Sequence, residues 1–282
     1  MVKAAGLSCD IFPGANEPIL KAPIVADDIH GATGLDGTDL LPDLDPNYLD
    51  TCGVGTCRGV SQMAATISKH WETRKEMVTL VATGPLTNVA LLLKTYPTCV
   101  HAIKEIVFMG GALASGNHTP VAEFNIFVDP EAAQICMQSG VPLVMVPLDV
   151  THKAIVTVDI ILSIRHQLTP CSRFAQLLVD LLLFFEHTYR DVFGFLQGPP
   201  LHDPCTLAYI IRPELFKGRF MRVDVVTGDG PASGQTICDI YGRSPLPPNC
   251  FVTTDIDAEG FFEIMLDAWK RADEASILNV RK

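Results

Sequence analysis

The chain has little that would draw it to nucleic acid, a membrane or a redox partner. Basic residues are outnumbered, 21 Lys and Arg against 32 Asp and Glu, for a formal net charge of −11. That balance argues against a general affinity for polyanions or anionic lipid. The longest run of large apolar residues, Leu181 to Phe185, is far too short to span a bilayer. The opening MVKAAGLSCDIFPG lacks the apolar core of a secretion signal, so the cytoplasm is the expected compartment. Aromatics make up only 7% of the chain and no phosphate-cradling glycine pattern occurs, which disfavours a nucleotide cofactor. None of the nine cysteines forms the short paired spacing of a zinc site or redox dithiol, and they read as buried small hydrophobes in a reducing compartment. Cys52 and Cys57, bracketing a glycine-containing loop, are the one pair whose spacing allows a bridge. There is no internal repeat, low-complexity tract or linker.

What remains is core-forming material. At 282 residues, 48% hydrophobic and 19% charged, the chain can bury a large interior, and one domain over residues 1–282 is the simplest organisation. Residues 1–50 are rich in Asp, Gly and Pro, and read as strand ends and loops. A helical face follows at Val60, Met63, Ala64, Ile67 and Trp71. Apolar runs at Met77 to Val81, Ile103 to Met109 and Pro142 to Leu148 read as buried strands, separated by helices over Asn88 to Lys94 and from Pro130 to about Ser139. Asp129 as N-cap, Pro130 at the first helical position and Gly140 beyond the end delimit the second of these helices. Strands and helices alternating at this spacing predict an α/β fold, a mostly parallel central sheet with helices on both faces. Further on, Phe174 to Tyr189 is an amphipathic helix, Val223 to Val226 and Cys250 to Ile256 are strands, and Asp257 to Arg271 is a closing helix.

Four polar clusters punctuate this pattern: His30; Thr83 with Asn88; Asn117, Glu123 and Asn125; and His202 with Asp203. Singly, each is ordinary loop chemistry. Together they fall at strand ends and helix starts, where open α/β sheets gather their sites. Asn and Glu side chains are directed donors and acceptors for hydroxyls, while a main-chain carbonyl near Thr83 and the Asp203 carboxylate are hard oxygen ligands for Ca²⁺ or Mg²⁺. This chemistry suits a polyol such as ribose, cleaved at its anomeric carbon through an oxocarbenium-like transition state.

The segments TGPLTNVA (Thr83 to Ala90), MGG through AEFNIFVDPEAA (Met109 to Ala133), LDVTHKA (Leu148 to Ala154) and PLHDPC (Pro200 to Cys205) carry a resemblance over nearly the whole chain. In this order they resemble the inosine-uridine-preferring nucleoside hydrolases. The resemblance implies a Rossmann-like fold, hydrolysis of ribonucleosides to ribose and free base in nucleoside catabolism, a tightly bound Ca²⁺, and a homodimer or homotetramer. It assigns Thr83 (by its main-chain oxygen) and Asp203 to the metal, and Met109, Asn117, Glu123 and Asn125 to the ribose. His202 falls beside the leaving base as a proton donor. His30 matches a base-side histidine of members favouring pyrimidine nucleosides, so uridine or a related nucleoside is the expected substrate. Phe193, Phe195 and Gln197 lie where members vary their base contacts, and His152 reads as structural.

One family element has no counterpart. Members begin with an aspartate-rich segment of the form Asp-x-Asp-Pro-Gly-x-Asp-Asp, which supplies calcium carboxylates and the base that activates water; SCDIFPGANEP (Ser8 to Pro18) has the wrong spacing for it. The expectation is therefore a member lacking its N-terminal strand-helix-strand unit, with an exposed sheet edge, weak calcium binding and slow or no turnover. Two other functions stand beside hydrolysis: a non-catalytic derivative that binds ribose or a sister subunit, and a metal phosphohydrolase built on His202 and Asp203.

Overall fold

The computed structural model describes residues 1–31, 34–42 and 58–280. Cys52 and Cys57 lie outside the described residues. The described chain is built around a five-stranded sheet of order β1-β2-β3-β7-β4, from β1 (Val78–Ala82), β2 (Ile103–Met109), β3 (Leu143–Val146), β4 (Phe216–Met221) and β7 (Cys250–Ile256). The first four strands in that spatial order pair in parallel, and β4 closes one edge antiparallel to β7. The mostly parallel sheet expected from the alternation of elements is thus observed.

Strand sequences explain why the sheet is covered on both faces. Side chains alternate across a strand, and here both sets are apolar. From β2, Ile106 and Phe108 enter one core while Val107 enters the other; from β3, Leu143 and Met145 part from Val144 and Val146 in the same way. The first core is closed by α2 (Arg58–Arg74), α3 (Thr87–Thr95) and α5 (Pro130–Met137), the second by α7 (Val158–Gln167), α8 (Arg173–Phe193), α9 (Pro204–Ile211) and α10 (Ala258–Ala275).

Three sequence expectations change. Residues before α2 contain no strand among those described; Asp27–His30 forms instead a single helical turn, α1. Strand β4 was not expected, because Phe216–Met221 carries Lys217 and Arg219 and lacks a continuous apolar run. As an edge strand it has no need of one, and its charges suit an uncovered edge. Val223–Val225 (β5) leaves the main sheet and pairs antiparallel with Thr236–Cys238 (β6).

Asp129 anchors the helix that follows the site loop. Fully buried, it caps α5 by accepting from the Ala132 amide at 3.0 Å. Its other oxygen takes the Thr87 hydroxyl at 2.6 Å and the Ile19 amide at 2.9 Å. One carboxylate therefore joins α3, α5 and the N-terminal segment. Asp129→Ala is expected to lower unfolding free energy by about 2–4 kcal/mol, the loss of a cap plus stranded donors. Asp129→Asn, which keeps an acceptor for the cap, is expected to cost less. Urea unfolding of the two variants checks both values.

Candidate active site

The carboxyl ends of β1 and β2 open onto a cavity of about 360 Å³. Its polar lining comes from those strand ends and the loop after β2. Met109 ends β2, and Gly110 and Gly111 make the turn; Gly111 has φ +76, and a Cβ there would meet Met145 Cε at 2.8 Å. The left-handed backbone there strains any residue with a Cβ, so the turn favours glycine. The turn aims the Gly111 amide at Glu123, which it reaches at 2.9 Å.

Glu123 is 2% exposed and caps the short helix α4 (Phe124–Val128). Its Oε1 accepts from the Asn125 amide at 2.9 Å and its Oε2 from Ile126 at 3.1 Å as well as from Gly111. Burial nevertheless pushes its carboxyl up to about 7, against the pull of those three amides, and Asp203 adds to the rise. The Asn125 side-chain amide donates to the carbonyls of Thr83 (3.3 Å) and Met109 (3.2 Å), which leaves its Oδ1 as an acceptor. Asn117 is the complement, because its Oδ1 accepts from Phe124 N at 2.9 Å and its Nδ2 remains a donor.

The rest of the lining comes from α1, α8 and the start of α9. Val25, Ile29, His30, Tyr189, Val192 and Phe193 give an apolar and aromatic side, joined by His202 and Asp203. His30 is exposed, with its ring edge-on to Phe185 at 5.8 Å. Both ring nitrogens of His202 have partners: Nδ1 meets Thr151 Oγ1 at 2.7 Å and Nε2 meets Tyr189 OH at 2.8 Å. Burial lowers His202 to about 3, helped by nearby His152 and His30, so the ring is neutral across the physiological range. Burial also raises the Tyr189 phenol well above its ordinary value, with Asp203 and Glu123 adding to the effect.

Asp203 stands at the N-cap of α9, with Pro204 behind it, yet its side chain caps nothing. Partial withdrawal from water raises the carboxyl to about 6, and solvent still reaches it through the cavity. As a calcium site the described residues fall short. Thr83 O and Asp203 offer two oxygens where Ca²⁺ takes six to eight, and no group of three or more His, Cys, Asp or Glu is placed to hold a metal among the described residues.

The eight residues to which the family resemblance gives metal, ribose or base-side roles, Thr83, Met109, Asn117, Glu123, Asn125, His30, His202 and Asp203, all line this one cavity. Asn88 does not line it; its Oδ1 accepts from Ala15 N at 2.8 Å. Phe193 lines the cavity, whereas Phe195 packs behind it on His152 and Tyr189. The sequence reading missed Tyr189, hidden in the apolar stripe of α8, and Thr151, hidden in LDVT. The one signal for Tyr189 is a polar tip at the end of an otherwise apolar helix face, 13 positions before His202.

An open parallel sheet whose strand ends surround a cavity with a hydroxyl-matching side and an apolar, imidazole-bearing side is the arrangement of an α/β enzyme for a polar small molecule. Residues 1–263 match the family model described as inosine-uridine preferring nucleoside hydrolase, and the chain belongs to that family of N-glycosyl hydrolases. Among its relatives is the pyrimidine-specific ribonucleoside hydrolase RihA of Escherichia coli K12, 43% identical over 257 residues that cover 91% of this chain and 78% of the relative. Of solved structures, the purine-preferring ribonucleoside hydrolase from Gardnerella vaginalis superposes with a TM-score of 0.81 at 26% identity, over 97% of this chain and 83% of that one. The plant nucleoside hydrolase PpNRh1 gives 0.73 at 27% identity, over 88% and 75%.

The Glu123 shift makes stability depend on pH. Between its ordinary 4.5 and about 7, the folded protein keeps a proton on Glu123 that the unfolded chain has released. Unfolding free energy therefore falls as pH rises through that window, by about 3 kcal/mol relative to Glu123→Gln, and levels off above it. Urea unfolding of both proteins at the two ends of the window measures this, and parallel stability curves would contradict it.

Proposed function

We propose that this chain hydrolyses the N-glycosidic bond of pyrimidine ribonucleosides, uridine foremost, to ribose and free base. The observation that carries this reading is the pairing, in one cavity, of the Asn117, Glu123 and Asn125 hydroxyl-matching set with the Tyr189 and His202 pair. In this reading a donor at Asn117 Nδ2 and acceptors at Asn125 Oδ1 and Glu123 hold the ribose hydroxyls, and Met109 packs under the sugar. The base lies among Val192, Phe193 and Ile29, with His30 at its edge.

Cleavage breaks the bond between C1′ and the base nitrogen; water supplies the oxygen that C1′ gains, and the departing base needs a proton. His202 has no free nitrogen in this arrangement. With Thr151 Oγ1 donating to Nδ1, the Nε2 proton points at the Tyr189 oxygen, and the phenol proton is free to turn toward the base. Tyr189 is then the donor and His202 the group that stabilises the phenolate left behind, and the proton that water gives up on bonding C1′ returns to that phenolate, so the phenol is restored. Thr83 and Asp203 remain the metal-side residues of the reading, and no step is routed through an ion that the described residues do not suffice to hold.

Residues 1–282 are taken to act as a single nucleoside hydrolase-like domain, assembled as a dimer or tetramer in the cytoplasm. Among the described residues no helix is long and apolar enough to cross a membrane. The two other functions gain no support: the relatives bear names of hydrolases, and the metal cluster a phosphohydrolase needs is absent among the described residues.

Purified protein assayed for base release is expected to act slowly, as the incomplete metal side implies, and on uridine and cytidine ahead of inosine and adenosine; preference for a purine, or no release from any of the four, would overturn the reading. Tyr189→Phe, which keeps the ring and removes the hydroxyl, is expected to lower kcat for uridine by about 10²–10⁴-fold with a small change in KM. Light scattering after gel filtration checks the assembly.

A further inference from the structure

The turn after β2 is held from outside the cavity, in part by a strand that has no role so far. Gly110 N donates to Val146 O at 3.2 Å, Gly111 O accepts from Leu148 N at 3.0 Å, and Leu113 N donates to Asp149 Oδ2 at 2.7 Å. Between them lies Ala112, buried, and one side chain serves both of its main-chain groups. Its amide donates to Thr236 Oγ1 at 3.0 Å, and the same hydroxyl donates back to its carbonyl at 2.7 Å. Thr236 opens β6, is itself buried, and stands directly against the turn: a Cβ at Gly111 would meet its Cγ2 at 2.9 Å. A buried amide and carbonyl need partners, and here a single hydroxyl is both.

The residues just before Thr236 hold the other end of the same loop. Gln235 forms an antiparallel bridge with Ala122, the neighbour of Glu123. Gly234, at φ +79, presses on α4, where a Cβ would lie 2.7 Å from Phe127 Cα. Three successive residues therefore meet the loop at Ala112, at Ala122 and at the helix beyond it. The partner strand β5 is tied in turn to α5, through Val225 N donating to Gln134 Oε1 at 2.7 Å. Thr236 does not line the cavity. What it touches is the turn that delivers the Gly111 amide to Glu123 and that begins the loop carrying Asn117. A site holds its geometry only as well as the groups behind it are fixed.

We propose that Thr236 is a positioning residue for the sugar side of the site: its hydroxyl, clamped on both main-chain groups of Ala112, fixes the turn that places Glu123 and Asn117. This rests on the reading of Asn117, Glu123 and Asn125 as the set that holds ribose. Ligand-observed NMR titration of the full-length protein gives the Kd of ribose and of uracil separately and needs no turnover. Thr236→Val keeps the branched shape without the hydroxyl, whereas Thr236→Ser keeps the hydroxyl without the methyl. Val is expected to weaken ribose binding by about three- to tenfold, the range of one neutral hydrogen bond. Uracil binding should stay within about twofold of wild type, and Ser should recover most of the loss for ribose. Should Thr236→Val not fold, Thr236→Ala, which is smaller than the native side chain, carries the same expectations. Wild-type ribose affinity in the variant without a hydroxyl, equal weakening of ribose and uracil, or a Ser variant no better than Val would overturn the role of Thr236 alone. No ribose binding by wild type would overturn the ribose reading of the site and this proposal with it.

Discussion

The site depends on one buried carboxylate held by backbone. Glu123 is sealed from water, and three amides, those of Gly111, Asn125 and Ile126, converge on it. Withdrawing a carboxyl from water is costly, and its elevated pKa records that the amides offset only part of the penalty. What they achieve is geometric. They tie the end of β2 to the start of α4, and that tie sets Asn125 against the carbonyls of Met109 and Thr83. The left-handed backbone at Gly111 is part of the same device, because only that turn delivers its amide to Glu123.

The other half of the cavity is built by a different means and reaches the same electrostatic result. His202 is held between a threonine hydroxyl and a tyrosine hydroxyl, with no carboxylate hydrogen-bonded to the ring to stabilise a charge. Enclosure keeps it neutral, as it raises the carboxyls of Glu123 and Asp203. Near neutral pH the cavity thus holds a neutral imidazole, a Glu123 carboxyl close to its titration point and an Asp203 carboxylate that is mostly ionised. An imidazole that stays neutral is available to hydrogen-bond a phenol across that range.

How much of this was legible in the sequence depended on whether a residue type had one reading or two. The strands β1, β2 and β3 announced themselves by short apolar runs, as buried parallel strands do, and β7 by Cys250 to Val252 followed by two β-branched threonines. Asp129 followed by Pro130 announced the start of α5, and the polar residues beyond the strand ends announced the cavity. Tyr189 was not legible, since its ring repeats the apolar spacing of α8 and only its hydroxyl has a task. Strand β4 was hidden for the opposite reason: an edge strand carries charge and gives up the pattern by which strands are recognised. The internal partners of Asn117 and Asn125 were beyond sequence reasoning, because which end of an amide faces the ligand is fixed by contacts between segments far apart in the chain.

Those amide orientations also discriminate between chemistries. With Asn125 Nδ2 and Asn117 Oδ1 occupied within the protein, the polar side presents one amide donor, one amide acceptor and a carboxyl near its titration point. Neighbouring hydroxyls, each both donor and acceptor, satisfy all three. On that side a phosphate would meet a carboxyl and an amide oxygen with one amide donor to offset them, and among the described residues no Lys or Arg lines the cavity. The donor and acceptor set on the loop after β2 therefore suits neighbouring hydroxyls better than an anion, before any contact with the base is considered.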